Sequence, residues 1–258
     1  MSAEFSNFET INFDNHTHPI VVSIPHCGTL IPDDVRKFMK ESIEYNMSGN
    51  IYIERFVKEL YSFLKDMGVT VVANNISRMV VNLNSCPEIV RVDIACPRPD
   101  HFYLHSISDE NIENIINKYF HPFFDEVHKN IKAKLMHHDK ITLLDLHSFN
   151  DNLTSNVVLA NNMHSYCTEN KFNLVRDIFR AHDFIVGNNW PWMGGGVTRH
   201  FKYTYRDKPD ALMIELKNSV YIEDFDAVRD GVYPYEQESF IKAKDVLEKV
   251  FKEIIEVL

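Results

Sequence analysis

The sequence has few cysteines and no long apolar run, and each shortage excludes a class of protein. Its four cysteines (Cys27, Cys86, Cys96 and Cys167) form no CxxC pair, which excludes the usual thiolate zinc sites and redox dithiols. No segment approaches the ~20 apolar residues of a membrane span. The N-terminal residues lack the basic start and apolar run of a secretion signal. We therefore expect a protein of the reducing cytoplasm without a membrane anchor.

Positive charge is also scarce. The chain carries 27 Lys and Arg against 37 Asp and Glu, a formal net charge of −10. This balance argues against a general affinity for nucleic acid or anionic lipid, although a few local arginines can still bind a small anionic substrate. The 258 residues are 45% hydrophobic and 12% aromatic, enough to bury a large core. We find no repeat, low-complexity segment or linker, and therefore predict one domain over residues 1–258.

Short apolar strands alternate with longer helical segments along the chain. The patterns predict strands at 18–24, 69–73, 79–83, 141–145, 157–160 and 211–216, and helices at 51–64, 109–136, 166–181 and 235–258, the second interrupted near Pro122. Residues 84–103 are predicted to form a long polar loop, a kind of segment that is usually functional or mobile. The alternation indicates an α/β fold with a largely parallel sheet covered by helices on both faces.

Three of these strands have a polar residue near their carboxyl end, where α/β proteins build their sites. His26 follows the first strand, Asp145 and His147 lie in ITLLDLHS (141–148), and Glu215 interrupts ALMIEL (211–216). Taken singly, each has an ordinary structural explanation: a histidine in a turn, a cap or buried ion pair, or a carboxylate paired with lysine. A charge in an apolar strand costs several kcal/mol unless it is paired or bound to a metal. Together these residues predict a zinc site with an open position for water.

The glycine-rich stretch of the chain is GNNWPWMGGGVTR (187–199). It lacks the lysine of a phosphate-binding loop. A flexible lid, a close approach of two backbone segments and a plain surface loop all remain open for it. Arg199, just beyond the glycines, is a candidate for holding a substrate carboxylate in a bidentate fork.

Five segments occur in an order and at intervals that indicate a family: PHCGTLIP (25–32), SRMVVNLN (77–84), LDLHS (144–148), GGGVTRHF (194–201) and ALMIELKNSVYIED (211–224). Together they resemble the N-formylglutamate amidohydrolase family, whose members look like relatives of zinc carboxypeptidases and aspartoacylase-like deacylases. The resemblance implies a single α/β domain with a central mixed, mostly parallel sheet of the zinc-exopeptidase (phosphorylase/hydrolase-like) type. It also implies hydrolysis of an amide in a small acylated amino acid, with one zinc ion or another divalent metal.

The resemblance also implies a set of metal ligands. His26 and His147 match the family's PHSG-type and DxHS histidines. Glu54 aligns with an acid that the family carries on its first long helix, and the resemblance implies that it is the third ligand. The alternative explanation is that Glu54 is an exposed helix glutamate. Asp145 is then the group that orients an imidazole beside the metal.

Catalytic and substrate-binding roles follow from the same match. Glu215 stands where the carboxypeptidase-like relatives keep a general base, and Arg78 and Arg199 match arginines that polarise the scissile carbonyl or hold a carboxylate. Asn84 and Gly195 are further predicted substrate contacts.

One departure from the family affects the substrate. Where the family commonly reads DLNR, residues 82–85 read NLNS, so an arginine suited to a carboxylate is missing and recognition of glutamate is in question. Three other functions stay open: a metal-free hydrolase with Cys27 as nucleophile, a non-catalytic binding protein on the same fold, and a peptidase. The sequence does not determine the oligomeric state.

Overall fold

A seven-stranded sheet forms the centre of the computed structural model, which describes residues 6–40, 54–95, 103, 107–150, 152–229 and 233–258. The strands are Phe8–Ile11 (β1), Ile20–Ile24 (β2), Thr70–Asn74 (β3), Ile141–Phe149 (β4), Val157–Ala160 (β5), Val186–Asn188 (β6) and Pro209–Lys217 (β7). They lie side by side in the order β1-β3-β2-β4-β7-β5-β6.

The centre of the sheet is parallel and its edges are not. β3, β2, β4 and β7 run parallel to one another, whereas β1 is antiparallel to β3, and β5 is antiparallel to β7 and parallel to β6. The predicted mixed, mostly parallel sheet is thus confirmed. Since β2, β4 and β7 are parallel, their carboxyl ends meet at one edge, which brings the polar residues of all three strands together.

Helices cover both faces of the sheet. They are Asp33–Arg36 (α1), Val57–Leu60 (α2), Pro87–Ala95 (α3), Asp109–Ile115 (α4), His121–Leu135 (α5), Glu169–Ala181 (α6), Gly196–Tyr205 (α7), Phe225–Arg229 (α8) and Glu238–Val257 (α9). Apolar residues of α6 and α9 pack with Leu144 and Leu146 on one face, and those of α4, α5 and α7 pack with Leu143 on the other. Among the described helices, none combines the length and the apolar character needed to cross a bilayer.

The predicted interruption of the long helix before Pro122 is confirmed. A π-helical turn, Ile116–Phe120, joins α4 to α5 immediately before this proline. Proline lacks the amide hydrogen that would continue the α-helical ladder, and a π turn is a common way to absorb such a break.

Two predicted elements on the amino-terminal side were wrong. Residues 79–83 form turns and not a strand, and their apolar side chains are buried because they pack into the core under α4 and α5. Residues 84–103 are not one loop, because Pro87–Ala95 forms α3, while 96–102 lie outside the described residues.

The predicted helix at 51–64 is only partly present. Residues 51–53 lie outside the described part of the chain, α2 covers four residues, and a 3-10 helix, Ser62–Asp66, follows it. Phe56, at the start of α2, has φ 67°, a left-handed conformation that an α-helix cannot continue through. Glu54 therefore lies in the segment that leads into α2 and not within a helix.

Candidate functional site

The sheet register places the polar strand residues next to one another. His147 on β4 is paired with Glu215 on β7, and Ser23 on β2 is paired with Asp145 on β4. His26 follows directly after β2 and is 1% exposed, while Asp145 and His147 are fully buried. Because alternate residues of a strand face the same way, Asp145 and His147 share the face that Leu143 presents to α4, α5 and α7.

Glu54 joins the two histidines. Its Oε1 lies 2.6 Å from Nδ1 of His26, and both of its carboxylate oxygens lie 3.1 Å from Nδ1 of His147. The backbone N–H of Ser148 donates to Oε2 of Glu54 at 2.9 Å. Since Glu54 is only 5% exposed, its alternative explanation as an exposed helix glutamate is wrong.

Each imidazole has a second partner on its other nitrogen. Nε2 of His147 is 3.1 Å from Oδ2 of Asp145, and Nε2 of His26 is 3.0 Å from Oδ1 of Asn82. The hydroxyl of Ser23 donates to the remaining oxygen of Asp145. Both acceptors bind the Nε2 side of a ring, which orients Nδ1 of each ring towards Glu54.

These residues fit a divalent metal ion. Nδ1 of His26, Nδ1 of His147 and a Glu54 oxygen supply three donor atoms, all within 4.8 Å of one another. Donors held at about 2.0–2.1 Å by a tetrahedral zinc ion lie about 3.3 Å apart, so the 3.1 Å contact between His147 and Glu54 has a suitable length and the 2.6 Å contact between His26 and Glu54 must lengthen. Two imidazoles and one carboxylate, with the other imidazole nitrogens already hydrogen-bonded, are a donor set typical of catalytic zinc.

The electrostatics of the group follow from burial and from its own charges. Burial and the Arg78 guanidinium lower the pKa of His26 to about 4, against the effect of Glu54, so that ring is neutral near pH 7. Burial would also lower the pKa of His147, but the carboxylates of Glu54 and Asp145 outweigh it and hold the pKa well above its ordinary value. Burial would raise the pKa of Glu54, but the two imidazoles keep it far below its ordinary value.

Glu215 differs from Glu54 in its electrostatic surroundings. Burial raises its pKa to about 8, and the negative charges of Glu54 and Asp145 add to this, while His147 and Arg78 oppose it. Arg78 also lies close to the group, with its Nη1 donating to Oε1 of Glu54 at 3.4 Å. The site thus contains a buried carboxyl group that titrates near neutral pH beside a set of possible metal ligands.

Arg199 lies apart from the histidine group. It is exposed on α7, where its backbone N–H donates to the carbonyl of Gly195 at 3.1 Å, and it lines a cavity of about 480 Å³ together with Ser85 and Tyr203.

The glycines form a close backbone approach and not a free lid. Gly196 begins α7 and donates its N–H to the carbonyl of Asn84 at 3.0 Å. A Cβ on Gly195 would lie 1.8 Å from Oδ1 of Asn84, and the N–H of Gly195 already donates to Oγ1 of Thr198. Oδ1 of Asn84 is itself buried and has no hydrogen-bond partner within the described residues.

Cys27 has the wrong surroundings for a nucleophile. Its thiol donates to the backbone carbonyl of Asn74 at 3.1 Å, and burial raises its pKa to about 12. A thiolate is the reactive form of cysteine, so this structure argues against the metal-free cysteine hydrolase.

Sequence reasoning missed three residues that support the group: Asn82, Ser148 and Tyr221. The Tyr221 hydroxyl lies 3.0 Å from Oγ of Ser148 and 3.2 Å from the backbone carbonyl of Arg55, which ties the residue after Glu54 to the end of β4. Ser148 adjoins His147 within LDLHS, a position that could have suggested it, but Asn82 and Tyr221 carried no such signal.

Comparisons with known proteins show which family and fold the chain resembles. A family model described as N-formylglutamate amidohydrolase matches residues 18–222. A stretch of 76 residues, 30% of this chain, is 32% identical to N-formylglutamate deformylase from Pseudomonas putida and spans only 27% of that relative's length. The crystal structure of N-formylglutamate amidohydrolase from Ralstonia eutropha superimposes with a TM-score of 0.81 at 18% identity, covering 98% of both chains. A gene product of Agrobacterium tumefaciens superimposes with a TM-score of 0.70 at 16% identity, covering 96% of this chain and 97% of that one.

Proposed function

Because the chain belongs to the N-formylglutamate amidohydrolase family, we propose that it is a metal-dependent hydrolase that cleaves the amide bond of an N-acylated, typically N-formylated, amino acid. The observation that carries the proposal is the buried group of His26, Glu54 and His147 with Glu215 beside it. Its partner is a small molecule, in keeping with a net charge of −10 that disfavours nucleic acid.

We assign His26, Glu54 and His147 as the residues that hold zinc, with Asp145 and Asn82 fixing the orientation of the two rings. The chemistry that zinc supplies at such a set is to acidify a water molecule near neutral pH and to polarise a carbonyl group. A metal binds only the unprotonated imidazole, so His26, which is neutral near pH 7, can bind directly, whereas His147, whose pKa Glu54 and Asp145 raise, would release a proton on metal binding.

Glu215 acts as the general base. It takes a proton from the attacking water as the new C–O bond forms at the scissile carbonyl. It then returns that proton to the amide nitrogen as the C–N bond breaks, which gives a carboxylic acid and a free amine. A carboxyl group with a pKa of about 8 is suited to both transfers near neutral pH.

The remaining site residues bind the substrate. Arg78, beside Glu54, stabilises the negative charge that develops on the carbonyl oxygen. Arg199 holds the substrate carboxylate in a bidentate pair. Asn84 is predicted to contact the amide group of the substrate. Gly195 contributes through its close packing against the Asn84 side chain.

The test combines metal analysis with a substrate screen. The purified protein is analysed for bound metal and then assayed for amine release from N-formyl and N-acetyl amino acids and from dipeptides, with and without chelator. We expect about one divalent ion per chain and chelator-sensitive release of amino acid from the N-formyl compounds.

Other outcomes separate the remaining functions. Bound metal without any hydrolysis would favour the binding protein, and preferential cleavage of dipeptides would favour the peptidase. Hydrolysis that persists after complete metal removal would contradict the mechanism.

A further inference from the structure

A cavity of about 480 Å³ lies between α5, α7 and the segment that leads into α3. Three aromatic side chains line it, Phe120 and Phe124 from the α5 side and Tyr203 from α7, together with polar groups that include Arg199 and Asp125. Tyr203 is 70% exposed, so part of the cavity wall is an aromatic residue that faces solvent. Surfaces of this kind, with a few placed polar groups, are typical of small-molecule sites.

One end of the cavity adjoins the proposed catalytic group. Ser85 lines the cavity, and its hydroxyl accepts a hydrogen bond from Nδ2 of Asn82 at 3.5 Å. Oδ1 of the same Asn82 is 3.0 Å from Nε2 of His26. Asn82 therefore contacts both a residue of the cavity wall and the Nε2 side of a proposed metal ligand.

The cavity offers little positive charge. Of the described residues that line it, Arg199 is the one with a permanent positive charge, Asp125 opposes it, and three histidines, His121, His128 and His200, are the other ionisable groups. Burial, first of all, and the neighbouring His200 lower the pKa of His128 to about 4, while burial lowers that of His200. These two imidazoles are therefore neutral at neutral pH.

No lysine is among the described residues that line this cavity, whereas two lysines line the neighbouring one. Lys129 and Lys132 line a cavity next to this one, and Lys129 is 3.3 Å from Oε2 of Glu126. A substrate with one carboxylate can pair it with Arg199. A substrate with two would leave its side-chain carboxylate against aromatic walls without a cation, a costly burial.

We propose that this cavity binds the substrate's side chain and that the preferred substrates are N-acyl amino acids with an apolar, above all aromatic, side chain, in place of N-formylglutamate. The inference rests on the proposed hydrolase function. In the complex, Arg199 pairs with the single α-carboxylate, and Tyr203 and Phe124 contact the substrate's ring. Aromatic pairs favour a substrate ring in the cavity, and a substrate with one carboxylate avoids the burial of an unpaired charge. Because both effects disfavour N-formylglutamate, we expect its kcat/KM to be lower by about tenfold or more than that of an aromatic substrate.

The experiment measures kcat/KM of the zinc-loaded protein for N-formylphenylalanine, N-formylleucine and N-formylglutamate. The wild type is expected to favour the first two. Tyr203→Arg replaces an aromatic wall with a cation and should shift the ratio of N-formylglutamate to N-formylphenylalanine by about tenfold or more towards glutamate. The matched control is Met136→Arg, which adds the same charge at a position that is 82% exposed and does not line the cavity. It should leave the ratio unchanged.

The outcomes separate this inference from the function beneath it. Preference of the wild type for N-formylglutamate overturns the inference while the hydrolase function stands. A Tyr203→Arg ratio equal to that of Met136→Arg overturns the assignment of the cavity. Absence of amine release from all three substrates, with metal bound, rejects the hydrolase function and this inference with it.

Discussion

Replacing Asp145 with Asn tests whether the hydrogen bond behind His147 tunes the metal site. Asp145 is fully buried and has two described partners, Nε2 of His147 at 3.1 Å and the Ser23 hydroxyl. Asparagine has nearly the same shape, so its oxygen can still accept from the ring while its NH₂ group faces the Ser23 oxygen. The variant thus keeps the geometry and the tautomer but removes the negative charge.

The expected loss follows from that difference. A carboxylate behind a metal-bound imidazole raises the basicity of the ring, and changing such a partner typically costs about 10–100-fold in metal affinity. Because Asp145→Asn keeps the hydrogen bond, we expect about tenfold, or about 1.4 kcal/mol. Asp145→Ala also removes the acceptor and leaves a small cavity, so it should approach about 100-fold.

Competition with a chelator of known zinc affinity measures these values on the purified proteins. Asp210→Asn is the matched control, because Asp210 is another mostly buried aspartate of the same sheet, paired with Lys171 at 3.1 Å outside the proposed metal group. Its zinc affinity should equal that of the wild type. If Asp145→Asn also binds zinc with wild-type affinity, the charge of Asp145 does not tune the metal site, and if Asp145→Ala does so too, the proposed role of Asp145 in orienting His147 is wrong.

Three further predictions concern catalysis, folding and pH. Glu215→Gln should keep zinc bound but lower kcat by about 10²–10⁴-fold, because the general base is lost; turnover within a few-fold of the wild type would reject that role. Gly28→Ala would place a Cβ 2.3 Å from the backbone carbon of Asn75, so it should lower the free energy of unfolding in urea by about 1–3 kcal/mol or more. Gly187→Ala, whose Cβ would meet only side-chain atoms at 3.0 Å or more, should cost clearly less, and equal losses would contradict this explanation. Burial lowers the pKa of Lys134 to about 8, so between about pH 8 and 10 the unfolded chain holds a proton that the folded chain has released. Wild-type stability should therefore rise with pH relative to Lys134→Met, and parallel curves in urea titrations at pH 7, 8.5 and 10 would refute this sign.

The paired imidazoles connect the fold to the proposed chemistry. Both rings hold a hydrogen-bond acceptor on Nε2 and face the same carboxylate through Nδ1, although they come from different strands. This arrangement needs parallel neighbouring strands that end at one edge, because only then do two short side chains reach a common acceptor. Any change that shifts the register of β2 against β4 would separate them.

The sequence by itself determined the elements with strong local patterns. The apolar run at 157–160 and the β-branched run before His26 are strands, because residues of this kind gain most when buried in a sheet. It also predicted a shared site for His26, Asp145, His147 and Glu215, which lie together in the structure, because ionisable groups at the ends of apolar strands are costly unless they are paired or bound to a metal. It failed at 79–83, where apolar residues pack without a strand partner, and at α3, whose pattern is weak.

Only the tertiary structure decided how those residues act together. Glu54 contacts His147 across 93 positions of sequence. The sequence pattern predicts a helix at Glu54, but the structure begins its helix only at Val57. Asn82 reaches His26 across 56 positions, and Arg199 turns out to line a cavity beside the group and not the group itself. Hydrogen bonds and cavity walls of this kind depend on which chain segments the folded sheet brings together, and local sequence patterns carry no information about that.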